Sequence, residues 1–244
     1  MFRAVLQKTP AAHSAVRQLG RRMYTAKAES QELFERINNF WFGEKETPGL
    51  KHYLQLESDK LHDAGQVSFQ KWWFQPNAKV DEEIKSDFAQ AHANVIATKE
   101  HVDVAKESAD GTLSLIILLD QMGRNMYRGQ AKAFEGDAIA RSLAMYMVRR
   151  KFHEQLRLVK RSFVYMPLMH AEDIEAQDLS VQLYSELAEQ LQAPDEDAKN
   201  KGFAEFAEMH RDVIREFGRF PSRNLALGRE STPEELKWLE NAPF

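Results

Sequence analysis

A chain of 244 residues with 43% hydrophobic and 29% charged side chains has the composition of a globular protein with a substantial core, not of a disordered one. Its apolar runs are short (the longest, Leu115 to Leu119, is far below the roughly 20 residues that span a bilayer), which argues against membrane insertion. Cysteine is absent, excluding disulfides, thiolate metal ligands and a cysteine nucleophile, and a formal net charge of −4, which becomes −9 if the basic first 24 residues are removed, argues against general nucleic-acid binding.

Residues 1–28 carry Arg3, Lys8, Arg17, Arg21, Arg22 and Lys27 with no acid before Glu29, and Phe2, Val5, Leu6, Val16 and Leu19 supply apolar positions at helical spacing. A basic, acid-free amphipathic leader has the composition of a mitochondrial transit peptide, so the expected location is the matrix, with the cytoplasm as the alternative. Arg22-Met23-Tyr24-Thr25 resembles a matrix-protease site. Cleavage after Tyr24 removes five basic residues and no acid, taking the formal charge from −4 to −9. The expected domain then occupies residues 29–244.

Leu33, Phe34, Ile37, Phe40 and Trp41 follow the spacing of one buried helical face. A loop marked by Gly43, Pro48 and Gly49 follows. The aromatic cluster Trp72-Trp73-Phe74, ending at Pro76, is either core or a surface for docking on a larger assembly. A helix is predicted over about 81–101, with Ile84, Phe88, Ala91 and Val95 inward. After Gly111 comes a strongly apolar helix over about 113–127, closed by Gly129. Further helical patterns cover about 131–150, 153–165, 172–192 and 197–217, with Pro167 ending one helix and a polar loop at 194–201. Thr232, Pro233 and Glu235 fit the N-cap, N1 and N3 positions of a capping box, and Leu236, Trp238 and Leu239 anchor a short last helix. Alternating strand patterns are nearly absent, so the expected fold is all-α.

Three segments carry the polar chemistry. In the apolar helix, Asp120, Arg124 and Arg128 fall at i, i+4 and i+8, with Asn125 beside them. Asp120 follows five apolar residues, so it is expected near the core and in need of a partner, either Arg124 or an arginine from elsewhere. Asp137 is a further candidate. In the second segment, His170 precedes Glu172 and Asp173, which sit where a helix N-terminus favours acids without any function; Gln177 extends the same face. His210 lies on a predicted buried face with Phe206, Val213, Ile214 and Phe217. The third segment, FGRFPSRNLALGRE over residues 217–230, interleaves Arg219, Arg223 and Arg229 with Phe220, Leu225 and Leu227, next to Asn224. Arginine packed among apolar side chains needs a carboxylate of the same chain or an anionic ligand. His170, Glu172, Asp173 and His210 are residue types that bind zinc, iron or manganese. However, neither the H-E-x-x-H spacing nor the Glu-x-x-His repeat of di-iron bundles is present, and no metal or other cofactor is expected.

Taken together, LIILLDQMGRNMYRGQAKAF, FVYMPLMHAED and HRDVIREFGRFPSRNLALGRESTPEE, with NNFWFGE at 38–44, resemble domain-of-unknown-function family 924. The resemblance spans about residues 33–240 and implies a tetratricopeptide-like fold of helical hairpins. It brings no established reaction. The matched positions are Asp120, Gln121, Arg124, Asn125, Arg128, His170, Glu172, Asp173, His210, Arg219, Arg223, Asn224, Gly228 and Arg229. The chain departs from the family pattern at Met122-Gly123, usually Phe-Pro, at Ala171, usually Ser, and at Ser222, usually His. If that last histidine were catalytic in relatives, this chain would lack it.

Two functions compete. In the first, Arg124, Asn125, Arg128, Arg219, Arg223, Asn224 and Arg229 bind a small anionic metabolite, and Asp120, His170, Glu172 or His210 moves protons, with a lean toward hydrolysis. In the second, the chain is a helical protein-interaction scaffold whose buried ion pairs are structural. A fusion of residues 1–30 to a fluorescent reporter is expected to enter mitochondria; a purely cytosolic reporter would sink the transit-peptide expectation.

Overall fold

The computed structural model describes residues 10–42, 73, 76–190 and 201–242, with side chains over 24–42, 73, 76–190 and 203–242. Helices form where apolar residues recur every three or four positions, and no strand occurs among the described residues. Helix α1 (Pro10–Phe42) buries Leu33, Phe34, Ile37, Phe40 and Trp41, the stripe read from the sequence. It runs unbroken through residue 28, so the boundary drawn there lies inside a helix. Its contacts with the body include Lys27 to Glu107 at 2.5 Å and Ser30 Oγ to His101 Nδ1 at 2.8 Å. Trp73 is buried, stacks on Trp41 with ring centroids 6.1 Å apart, and donates from Nε1 to the Trp41 carbonyl at 3.2 Å. That ring is core. Trp72, Phe74, the loop marked by Gly43, Pro48 and Gly49, and most of the 194–201 stretch lie outside the described residues.

Helix α2 (Ala78–Thr98) starts three residues earlier than expected because Asn77 is its cap, accepting from the amides of Lys79 and Val80, both at 3.2 Å. It buries Val80, Ile84, Phe88, His92 and Val95. After the short α3 (Val102–Ala105), the predicted 113–127 helix appears in three parts. Helix α4 (Ala109–Ile116) is capped by Ser108, passes into a π-helical segment, Ile117–Met122, and returns to α geometry as α5 (Gly123–Met126). Leu113 and Leu115 through Asp120 are all fully buried, so this is the central helix, enclosed on every side.

The 131–150 segment divides into a 3-10 turn, Ala131–Phe134, and α6 (Asp137–Arg149). Gly136 sits at the division, where a Cβ would lie 2.7 Å from the Leu119 carbonyl oxygen; only glycine lets the turn come so close to the π-helix. A second 3-10 turn, Phe152–Gln155, leads to α7 (Leu158–Met169). Pro167 lies inside α7 rather than ending it. Its ring removes one hydrogen bond to the preceding turn, but nothing prevents the two residues after it from staying helical.

Helix α8 (Ile174–Gln190) starts at Asp173, whose carboxylate accepts from the Ala176 amide at 2.9 Å. Helix α9 (Lys201–Phe217) ends at Gly218, which takes the left-handed conformation at φ +69°. Its inward stripe is Ala207, His210, Val213 and Ile214, which turns Phe206 to the edge, 46% exposed, rather than inward as its spacing predicts. Helix α10 (Pro233–Leu239) carries both halves of the predicted capping box, although Leu236 is exposed and does not anchor it.

Helix α8 packs on α7 and α9, α4 on α6 and α1, and α2 on α5 and the π-segment, all around one apolar core. A satellite cluster of Val213, Ile214 and Phe220, flanked by Phe217 and Trp238, fastens the loop after α9. No described helix is long and apolar enough to cross a membrane.

Candidate functional site

The π-segment determines where Asp120 sits. An extra residue in the helical turn shifts the side chains that follow it around the axis, and such segments recur at functional sites. Asp120 is fully buried, and its carboxylate collects donors from three residues. His170 Nδ1 lies 2.8 Å from one oxygen and 3.0 Å from the other. Arg124 Nη1 is 3.1 Å from Oδ1, and Gln121 donates to Oδ2. Burial opposes ionisation, but Arg124 and His170, reinforced by hydrogen bonds from His170 and Gln121, hold the carboxyl well below the usual carboxylate range.

His170 ends α7. Gln177, fully buried on α8, fixes the backbone on both sides of it, donating to the carbonyls of Met169 at 2.6 Å and Ala171 at 2.8 Å. An ionised Asp120 only accepts hydrogen bonds, so His170 Nδ1 must carry the proton. Burial lowers the pKa of His170; the pull of Asp120 toward the charged form is countered by Arg124 and Arg223, and the ring is neutral. Its Nε2 then holds a lone pair and makes no hydrogen bond among the described residues.

His210 on α9 stands beside it, with ring centroids 6.2 Å apart. His210 Nδ1 donates to the Phe206 carbonyl at 2.7 Å, and burial, with the neighbouring His170 next in weight, pushes its pKa down to about 3.

The arginines divide sharply. Arg124 makes a two-pronged pair with Asp137 at 2.8 and 3.0 Å, besides its contact with Asp120. Arg128 grips Asp81 at 2.6 and 3.1 Å, and Asn125 donates to the same carboxylate at 2.7 Å. Arg219 grips Glu235 at 2.7 and 2.9 Å; that hydrogen bond and the Thr232 amide hold Glu235 down to about 2, and Asn224 adds a bond at 3.1 Å. Arg229 grips Glu172 at 2.7 and 2.9 Å, and Glu172 also accepts from the Phe220 amide at 2.9 Å. Each is a bidentate pair within the chain.

Arg223 is the exception. Among the described residues it makes one hydrogen bond, from Nη2 to the His170 carbonyl at 2.8 Å, and its approach to a carboxylate, Asp137, is 3.6 Å. The guanidinium lies 4.5 Å from the Phe220 ring centroid and 4.9 Å from that of Phe134. Burial, with Arg124 next, lowers its pKa to about 10.

The structure therefore brings Asp120, Arg124, His170, Arg223 and Asp137 into one contact network, with His210 and Glu172 against it. Arg128 with Asn125, and Arg219 with Asn224, belong to separate ion pairs. Of the three apolar residues interleaved with the loop arginines, only Phe220 is buried; Leu225 is 95% exposed and Leu227 faces solvent too. The aromatic surroundings of Arg223 are Phe220 and, from a distant part of the chain and invisible to local pattern, Phe134. Gln177 and Asp137 are further structural partners.

The chain matches residues 37–243 of its length to the family described as "Bacterial protein of unknown function (DUF924)". It belongs to that family. This DUF924 chain is also similar to a solved protein of unknown function from Agrobacterium tumefaciens, at 32% identity, with 87% of this chain and 99% of that one covered and a TM-score of 0.65. No curated protein matches it. The match contains every residue of the Asp120 network and begins after the basic leader.

Outside the network, His92 is fully buried against Gly123 with neither ring nitrogen hydrogen-bonded among the described residues, and burial, with Lys132 next, lowers its pKa to about 4. In the DUF924 fold, His92, His170 and His210 are thus neutral, whereas in the unfolded chain each takes up a proton below about pH 6.5. The unfolded state then binds more protons, so the stability present above that pH is lost as pH falls toward 4. Urea midpoints are expected to fall between about pH 7 and 5, less steeply for His92→Leu, by about one proton in the linkage slope. A midpoint independent of pH across that range would contradict this assignment.

Proposed function

We propose that the DUF924 domain binds a small anionic metabolite at the Asp120–His170–Arg223 network, and that His170 Nε2 is the acid–base group there, in the manner of a hydrolase. The observation that carries this reading is the contrast between Arg223 and the other four arginines. Arg124, Arg128, Arg219 and Arg229 each spend two hydrogen bonds on a carboxylate of the chain; Arg223, among the described residues, has no such carboxylate fork and donates one hydrogen bond, to the backbone carbonyl of His170 itself. A cation with uncommitted donors beside an imidazole lone pair is an arrangement in which an anion is held and a proton is moved. Asp120 keeps the ring in the Nδ1–H form and stabilises it when Nε2 gains a proton, the part a carboxylate plays behind a catalytic histidine. Glu172 holds the loop that carries Arg223, and His210 packs against the His170 ring.

A second reading, a non-catalytic interaction scaffold, is favoured by the four complete ion pairs, which need no ligand. Arg223→Ala separates the two. Under the ligand reading the variant loses one backbone hydrogen bond and ring contacts, about 1–2 kcal/mol of stability, and loses all stabilisation by anionic metabolites in a thermal-shift screen. If Arg223 is structural glue, the unliganded variant falls by about 3–5 kcal/mol, as for a broken buried ion pair, and no anion stabilises the wild type.

A further inference from the structure

The charges and the shape around Arg223 restrict what that anion can be. Asp120, Asp137 and Glu172 are the negative groups that reach Arg223 and Arg124 the positive one, with Arg229 paired to Glu172 and with His170 and His210 neutral, so three cations, Arg223 included, face three carboxylates. The unliganded network is therefore formally balanced. One added negative charge can lean on the cation whose carboxylate is farthest away; a second finds no cation left and faces three buried or half-buried carboxylates.

Helix polarity acts the same way. His170 caps the C-terminal end of α7, a twelve-residue helix, and the carbonyl that receives the Arg223 hydrogen bond is part of that negative end. Dianionic phosphate groups favour the opposite end, where free amides point outward.

Shape adds a third restriction. The N–H donors of Arg223 lie in the guanidinium plane, and the rings of Phe220 and Phe134 stand 4.5 and 4.9 Å from it. A planar fork meets a carboxylate through two parallel hydrogen bonds that satisfy both its oxygens; it grips two oxygens of a phosphate in the same way but leaves the others, which carry the second charge, without donors.

We infer that the anion is a monocarboxylate, gripped edge-on by Arg223, and not a phosphate ester. This rests on the proposed acid–base site and narrows it to one ligand class. Two features of the network would be idle for a phosphate, namely the acidic surroundings and the ring-flanked guanidinium. Both suit a single delocalised charge on an otherwise neutral molecule.

The test is an NMR titration of the 15N-labelled full chain at fixed pH and matched ionic strength, following the Arg223 Nε–H and the His170 imidazole. The probes are acetate, benzoate and inorganic phosphate. A saturable shift of both signals with at least one carboxylate, about tenfold or more tighter than with phosphate, is the expected result. Arg223→Lys keeps the charge but removes the fork, and is expected to weaken carboxylate binding about tenfold, read on His170. Phosphate binding as tightly as or more tightly than the carboxylates overturns the carboxylate assignment and leaves the acid–base site standing. Shifts with none of the three overturn both.

Discussion

One buried charge organises this molecule. The Asp120 carboxylate sits at the centre of an apolar helix, where an unpaired ion is prohibitively unfavourable, and it is stable there because Gln121, Arg124 and His170 surround it with donors. Each donor is itself held. Asp137 clamps Arg124, Gln177 fixes the backbone around His170, and Arg223 bonds the His170 carbonyl. The loop that delivers Arg223 is in turn pinned by Glu172 through Arg229 and the Phe220 amide. Removing Arg124, the cation against Asp120, leaves a charge in the core held only by neutral donors, a loss of about 3–5 kcal/mol in comparable buried pairs. The network is therefore rigid whether or not a ligand occupies it.

Rigidity and the proposed reactivity coincide at His170. The same hydrogen bond that neutralises the need of Asp120 for a partner also fixes the ring tautomer, leaving the other nitrogen with its lone pair. The π-segment is the local device behind this. It interrupts the regular helix at Ile117–Met122, and Gly136 allows the following turn to close over it without a side chain in the way. Four arginine–carboxylate forks brace the surrounding helices, whereas Arg223 has no carboxylate fork among the described residues. The proposed site rests on that asymmetry.

The helices were legible in the sequence because burial imprints a period of 3.6 on apolar residues, as at Leu33, Phe34, Ile37, Phe40 and Trp41. The Asp120–Arg124 contact was legible too, since it spans one helical turn. Asp137 stood out as a candidate partner, but which cation it meets, and the partners of Arg128 and Arg229, did not. Arg124 finds Asp137 thirteen positions away, Arg128 finds Asp81 at forty-seven, and Arg229 finds Glu172 at fifty-seven, separations that only the assembled fold can close. The π-segment left no local signal, because its six residues, ILLDQM, are ordinary helix formers. Leu225 and Leu227 misled for a related reason: the loop is fixed by arginine and glutamate contacts, so its leucines are not needed as anchors and face water. His92, by contrast, could have been found, since it lies four residues after Phe88 on the buried face of α2.

The claim on which the functional account turns is the state of the His170 ring. Long-range 15N–1H NMR of histidine-labelled protein at neutral pH reads it directly. The account predicts a neutral imidazole protonated at Nδ1, with an unprotonated Nε2, in the absence of ligand. A ring protonated at Nε2, or at both nitrogens, would contradict it, because then His170 could not offer the lone pair from which the proposed chemistry starts.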